Sequence, residues 1–182
     1  MSNRTIQNPV TGETITFIEP ARETGGERTL MEIGVKPGGG VPMHYHTASD
    51  EEIIAIDGPL VVTIGKKTLM LQTGERVLIP KGVPHAWRNA TSADVTFQAR
   101  FVPGVPGFED GLRVLAGLGH EGKLNRAGIP KDLTTFAIFA RWGDSNLPGL
   151  MSVMNPILSW LAHRGEKSGL GQRLRQRYAG EL

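Results

Sequence analysis

Short runs of alternating apolar and polar residues fill the first hundred positions of the chain. A period of two is typical of half-buried β-strands, because successive side chains point to opposite faces. Glycine and proline interrupt these runs at close spacing and favour tight turns. We expect strands at TITFIE (14–19), RTLMEIGV (28–35), EIIAI (52–56), LVVTI (60–64), TLMLQ (68–72), RVLIP (76–80), HAWRNA (85–90) and DVTFQARFV (94–102). This spacing predicts a closed or two-sheet all-β domain.

The polar residues 1–12 carry turn signals, and we assign no strand to them. After residues 103–107, which are rich in proline and glycine, the period changes from two to the spacing of amphipathic helices. The expected helical segments are 108–119, 132–143, 149–165 and a short basic helix or frayed tail at 172–180. Pro156 predicts a kink or a new helix start.

The chain therefore divides into two parts of different character. We expect a β-barrel domain at residues 1–106, and a helical extension at residues 107–182 that packs on the barrel. A chain of 182 residues is long enough for one domain with a well-buried core.

Composition excludes several classes of function. The formal net charge of +2 is too small to predict a nucleic-acid partner. The absence of cysteine excludes disulfides, thiolate ligands and cysteine nucleophiles within this chain. No segment has the roughly 20 consecutive apolar residues that span a bilayer, so we expect no membrane partner. The first residues lack the apolar run of a signal peptide, and we expect a cytoplasmic protein.

Two histidines stand out in the segment GGGVPMHYHTASDEEIIAIDG (38–58). His44 and His46 are two positions apart, so in an extended strand they point to the same side. Glu51 follows five positions later. Two imidazoles and a carboxylate in one place are typical of a transition-metal site. His85 is the only other histidine among the expected strands, and it joins this group if its strand lies beside that of His44.

Two sequence motifs resemble those of the cupin superfamily. The first has the form G-x5-H-x-H-x4-E-x6-G and is matched by Gly38, His44, His46, Glu51 and Gly58. The second has the form G-x5-P-x-G-x2-H-x3-N and is matched by Gly74, Pro80, Gly82, His85 and Asn89. The resemblance covers about residues 14–103. The flanking segments also resemble those of small single-domain cupins of uncharacterised activity that carry a C-terminal helical extension.

This resemblance implies an all-β double-stranded β-helix, or jelly roll, with an α-helical C-terminal extension. It also implies that His44, His46, Glu51 and His85 are the ligands of one metal ion. Imidazole and carboxylate ligands suit Fe, Mn, Ni, Co or Zn. Four protein ligands leave two positions open on a six-coordinate ion.

We therefore expect a metal-dependent enzyme, of dioxygenase type, that acts on a small-molecule substrate. Glu51 would serve both as a ligand and as a proton acceptor. The alternatives are a redox-silent lyase or isomerase, and a non-catalytic binding or sensor protein. The resemblance also makes a homodimer plausible.

Several residues near the motifs have more than one interpretation. Glu52 is the alternative to Glu51 as the carboxylate ligand. Trp87 shares strand parity with His85 and lines either the pocket or the core. The parity of strand 94–102 favours an apolar inner face, which makes Arg100 a poor candidate for a substrate contact. We assign His120 and His163, both in the helical extension, to the surface.

Overall fold

The computed structural model describes residues 4–180. The strands are β1 (Thr5–Asn8), β2 (Glu13–Glu19), β3 (Thr29–Val35), β4 (Gly40–His44), β5 (Asp50–Asp57), β6 (Leu60–Ile64), β7 (Lys67–Leu71), β8 (Arg76–Ile79), β9 (His85–Arg88) and β10 (Val95–Val102). The helices are α1 (Pro106–His120), α2 (Leu133–Trp142), a 3-10 helix (Gly149–Met154), α3 (Asn155–Lys167), α4 (Leu170–Leu174) and a π-helical turn (Arg175–Ala179). No helix within residues 4–180 is both long enough and apolar enough to cross a membrane.

The strands form two antiparallel sheets that pack face to face. One sheet has the order β1-β2-β3-β10-β5-β8, and the other has the order β4-β9-β6-β7. The apolar side chains of both sheets share one core, which includes Phe17, Ile53, Val62 and Phe97. The expected all-β fold with helices at its C-terminal end is therefore confirmed.

The alternation along β10 shows how the sequence pattern sets the two faces of a strand. Phe97, Ala99 and Phe101 are buried in the core. Arg100 lies on the opposite face, where its guanidinium is 2.5 Å from the carboxylate of Glu52. Arg100 therefore points away from the barrel interior, as its parity indicates.

One strand lies where the sequence indicated only turns. Residues Thr5–Asn8 form β1, which pairs with β2 from Thr5 opposite Thr16 to Asn8 opposite Glu13. This strand is at the edge of its sheet. An edge strand is held by its backbone hydrogen bonds and accepts polar side chains, so the apolar alternation that identifies inner strands is weak here. In the extension, Pro156 stands in the first turn of α3, which confirms the expected new helix start.

Helix α1 is attached to the barrel by a buried carboxylate. The side chain of Glu109 accepts hydrogen bonds from the backbone amide of Ala21, at 2.7 Å, and from the hydroxyl of Thr29, at 2.6 Å. Phe108 and Leu112, on the same helix, pack against the barrel core. These contacts fix α1 over one end of the barrel and bring Phe108 beside the histidines described below.

Candidate metal centre

The structure brings together the four residues that the motifs single out. One ligand atom from each of His44, His46, Glu51 and His85 lies within 4.8 Å of each of the others. The imidazole centroids are 4.4 Å apart for His44 and His85, and 5.0 Å apart for His44 and His46. The group thus has the size and ligand types of a mononuclear metal site.

Strand pairing accounts for this convergence. His44 ends β4 and lies directly opposite His85, the first residue of β9. An irregularity between Val41 and His44 breaks the regular register of this pair. Glu51 comes from β5 in the other sheet, so its carboxylate approaches the histidines from across the barrel. The centre therefore depends on both sheets.

Each imidazole is oriented by a backbone carbonyl. The Nδ1 atom of His44 lies 2.9 Å from the carbonyl oxygen of Pro42, and that of His85 lies 2.9 Å from the carbonyl oxygen of Val83. The Nδ1 atom of His46 lies 3.1 Å from the carbonyl oxygen of Gly143. A carbonyl oxygen only accepts, so each Nδ1 carries the proton and donates it. In the neutral ring this leaves the lone pair on Nε2, which is the form that binds a metal.

The Nε2 atoms and the carboxylate are buried without adequate partners. Nε2 of His46, Nε2 of His85 and Oε2 of Glu51 have no hydrogen-bond partner among the described residues outside the cluster itself. Nε2 of His85 lies 2.8 Å from Oε2 of Glu51, and Nε2 of His46 lies 3.7 Å from the same oxygen. Two neutral rings and a carboxylate would direct only lone pairs at one another, which is costly in a buried place. A cation between them satisfies all three atoms, so the residues fit a divalent metal ion.

The protonation of the group reflects this crowding. Burial lowers the pKa of His44 to about 4, and the neighbouring charge of His85 contributes to the shift. Burial also disfavours the charged forms of His85 and Glu51, but the close contact between them outweighs it. The pKa of His85 is therefore raised and the pKa of Glu51 is lowered. Glu51 is thus a carboxylate at neutral pH. The positive charge of a protonated His85 disfavours protonation of His44.

The two adjacent glutamates have separate roles. Glu51 faces the histidines and is 3% exposed. Glu52 points to the other face of β5 and forms the ion pair with Arg100 described above. Alternation along the strand separates them, because neighbouring side chains leave a strand on opposite sides. Glu51 is therefore the carboxylate of the cluster.

The remaining candidates lie outside the cluster. The side chains of His120 and His163 are exposed on helices α1 and α3. Trp87 is buried in the core, with its ring 4.7 Å from that of Phe97. Trp87 is thus a packing residue within the barrel.

Sequence reasoning missed the contribution of the helical extension. The ring of His46 lies beside Phe101 and Phe108, at centroid distances of 5.4 Å and 6.3 Å, and those two rings also contact each other. In the loop after α2, the carbonyl oxygens of Gly143 and Asp144 accept hydrogen bonds from Nδ1 of His46. The only sequence signal for this loop is the run of turn-forming residues Gly143-Asp144-Ser145-Asn146, which predicts a loop and not its neighbours.

Comparison with known proteins agrees with this geometry. Residues 31–101 match the family model described as Cupin domain. The chain contains a cupin domain. All four residues of the cluster fall within the matched segment.

Curated relatives share this domain at modest identity. The chain is 30% identical over 73 residues to quercetin 2,3-dioxygenase of Bacillus subtilis (strain 168), which covers 40% of the chain and 22% of the dioxygenase. It is 30% identical over 89 residues to the tetracenomycin polyketide synthase protein TcmJ of Streptomyces glaucescens, which covers 48% of the chain and 60% of TcmJ. The matched segments thus span less than two thirds of these two relatives.

Among solved structures, a predicted oxalate decarboxylase from Thermotoga maritima is similar to this chain. The TM-score is 0.49 at 18% identity, over 54% of the chain and 90% of that structure.

Proposed function

We propose that this chain is a mononuclear metal-dependent enzyme of dioxygenase type that acts on a small organic molecule. The observation that carries the proposal is the buried group of His44, His46, Glu51 and His85, in which three ligand atoms have no partner outside the cluster among the described residues. A divalent ion at this place would act as a Lewis acid towards a substrate oxygen, and a redox-active ion would also activate dioxygen. Iron, manganese, nickel, cobalt and zinc all suit this ligand set.

The residues around the cluster suit an aromatic or other largely apolar substrate. Phe101 and Phe108 stand beside His46 and exclude water from that side. His44 is only half-buried, so the group is most accessible from the side of β4. A substrate that enters there would meet polar ligand atoms in front of an apolar wall, an arrangement common in small-molecule sites.

Glu51 is the best placed group to accept a proton from the substrate. It is buried and its lowered pKa keeps it ionised at neutral pH. A substrate hydroxyl held against the histidines would lie within reach of this carboxylate. Because the lowered pKa makes Glu51 a weak base, it would act best on an acidic hydroxyl such as a phenol or an enol.

The names of the relatives suggest which substrates to test first. One relative is named as a quercetin 2,3-dioxygenase, and TcmJ is named as a polyketide synthase protein. A panel of flavonols, polyphenols and β-diketones offers phenol and enol hydroxyls from which Glu51 could accept a proton.

Oxygen uptake tests this proposal directly. Protein freed of metal and then loaded separately with Fe, Mn, Ni, Co or Zn would be mixed with each member of the panel. We expect substrate-dependent oxygen consumption with at least one redox-active ion, and none with the metal-free protein. The matched control is Glu52→Gln, which alters the adjacent carboxylate outside the cluster and should keep the activity.

The other possible outcomes separate the alternatives. Conversion of a substrate without oxygen uptake would contradict the dioxygenase and indicate a redox-silent lyase or isomerase. Tight binding without conversion would indicate a binding or sensor protein. The homodimer and the cytoplasmic location stay predictions, which sedimentation velocity and cell fractionation would test.

A further inference from the structure

We propose that Asp144, in the loop between α2 and the 3-10 helix, is a positioning residue for the metal ligand His46. We call the first four residues of this loop, Gly143, Asp144, Ser145 and Asn146, the clamp loop. Through it the helical extension would hold one ligand of the barrel in its metal-binding form. This inference rests on the proposed function, since it assigns a residue that supports the same centre.

The first step is the contact between the clamp loop and the imidazole. Nδ1 of His46 lies 3.1 Å from the carbonyl oxygen of Gly143 and 3.2 Å from that of Asp144. The partners that orient His44 and His85 are carbonyls two residues away in the same segment. His46 alone of the three depends on a segment about a hundred positions away, so its orientation requires the extension to be docked.

The second step is how the clamp loop is held against the barrel. The carboxylate of Asp144 accepts hydrogen bonds from the backbone amides of Thr47 and Ala48, the second at 2.7 Å. It also accepts from the hydroxyl of Thr47, at 2.8 Å. Three donors on the two residues that directly follow His46 thus converge on one side chain. Charge-assisted hydrogen bonds of this kind are stronger than neutral ones.

A second attachment flanks the ligand on its other side. The backbone of Asn146 pairs with that of Tyr45 through two hydrogen bonds, of 3.1 Å and 3.0 Å. The side-chain amide of Asn146 donates to the carbonyl oxygen and the carboxylate of Asp144, each at 3.0 Å. His46 is therefore held between two attached residues, Tyr45 before it and Thr47 after it.

The backbone of Asp144 itself fits this role. Its φ of 48° lies in the left-handed region, and it is the only residue other than glycine with a positive φ among those described. Aspartate and asparagine tolerate this region better than other residues with a side chain. In this conformation the carbonyl oxygen of Asp144 reaches His46 and its carboxylate reaches Thr47 and Ala48. Unusual backbone conformations of this kind are often found at functional sites.

The test compares substitutions in two aspartates of the extension. Asp144→Ala removes the acceptor of the three bonds, whereas Asp144→Asn keeps one acceptor oxygen and tolerates the same backbone conformation. Asp132→Ala is the matched control. Asp132 also accepts two hydrogen bonds of 2.7 Å, from the amide and hydroxyl of Thr135, but at the start of α2 and away from the cluster.

Two readouts are needed. The first is Co²⁺ affinity, measured by competition with a chelator. We expect a loss of about 10- to 100-fold in Asp144→Ala, a smaller loss in Asp144→Asn and less than about a twofold change in Asp132→Ala. The second is the tautomer of His46 in the metal-free protein, read from the nitrogen chemical shifts of the imidazole. We expect Nδ1–H in the wild type and in Asp132→Ala, and a mixture of tautomers in Asp144→Ala.

The outcomes distinguish this inference from the proposed function. Equal Co²⁺ affinity and an unchanged His46 tautomer in Asp144→Ala would overturn the positioning role and leave the metal site intact. If Asp144→Ala fails to fold, Asp144→Asn decides by the same two readouts. A wild-type protein that binds no Co²⁺ would overturn the proposed function, and with it the role of Asp144 in metal binding.

Discussion

At the scale of single residues, the candidate centre is defined by which atom of each side chain is already engaged. Backbone carbonyl oxygens accept hydrogen bonds from Nδ1 of His44, His46 and His85. The Nε2 atom of each ring is therefore the one that can bind a metal ion. Glu51 lies 2.8 Å from one of these Nε2 atoms and 3.7 Å from another. Burial makes such a set of acceptors unfavourable without a cation, and this cost is the main physical reason to expect metal binding.

Substitution of the two neighbouring glutamates tests which carboxylate belongs to the metal centre. Glu51→Gln removes the negative charge from the cluster and should lower metal affinity by about tenfold or more. Glu52→Gln breaks an ion pair between a carboxylate that is 11% exposed and a guanidinium that is 45% exposed, so it should leave metal affinity unchanged and cost about 1–3 kcal/mol of stability. Isothermal titration with Zn²⁺ and urea unfolding would measure the two effects. Equal losses of affinity in both variants would contradict the assignment of Glu51.

At the scale of elements, the close pairing of β4 with β9 sets two of the candidate ligands opposite each other. Gly40 permits this pairing, because a Cβ atom there would lie only 2.8 Å from Cβ and 2.9 Å from Cα of Arg88 on β9. These atoms belong to a paired strand and cannot move independently. The approach of β4 therefore requires glycine at this position, and His44 meets His85 at the other end of the same pair.

Gly40→Ala should therefore disturb both the barrel and the centre. We expect a loss of about 1–3 kcal/mol in the free energy of unfolding, the usual cost of overpacking, together with weaker Zn²⁺ binding. Gly34→Ala in β3 is the matched control, because its Cβ would lie 3.8 Å from the nearest atoms, an ordinary contact distance. Urea unfolding of the two variants would show the difference. A Gly40→Ala protein as stable as Gly34→Ala would contradict this account of the β4–β9 pair.

At the scale of the whole molecule, the barrel was far easier to predict from the sequence than its connection to the extension. Alternation identifies inner strands such as β3 and β10, whose two faces meet different surroundings. Edge strand β1 lacks that contrast and was missed. The spacing of His44, His46 and Glu51 is local and therefore visible in the sequence. The contact of His46 with Gly143 depends on how α1 and α2 pack. A local sequence pattern cannot predict a contact between residues that are 97 positions apart.

The helical extension thus contributes to the candidate metal centre as well as to the fold. Its first helix places Phe108 beside His46, and a carbonyl oxygen of its clamp loop accepts a hydrogen bond from Nδ1 of the same ring. Because both attachments involve His46, a candidate ligand, loosening the extension should weaken the centre before it unfolds the barrel. The folded protein would then couple metal binding to the docking of its C-terminal helices.

The stoichiometry of bound metal is the sharpest test of the centre formed by His44, His46, Glu51 and His85. The protein would be stripped with a chelator, reloaded with each candidate divalent ion and analysed by mass spectrometry of the elements, alongside His46→Ala and His85→Ala. We expect one ion per chain in the wild type and a loss of at least about tenfold in affinity in each variant. A wild-type protein that retains no stoichiometric metal, or variants that bind it as tightly as the wild type, would rule out this metal centre.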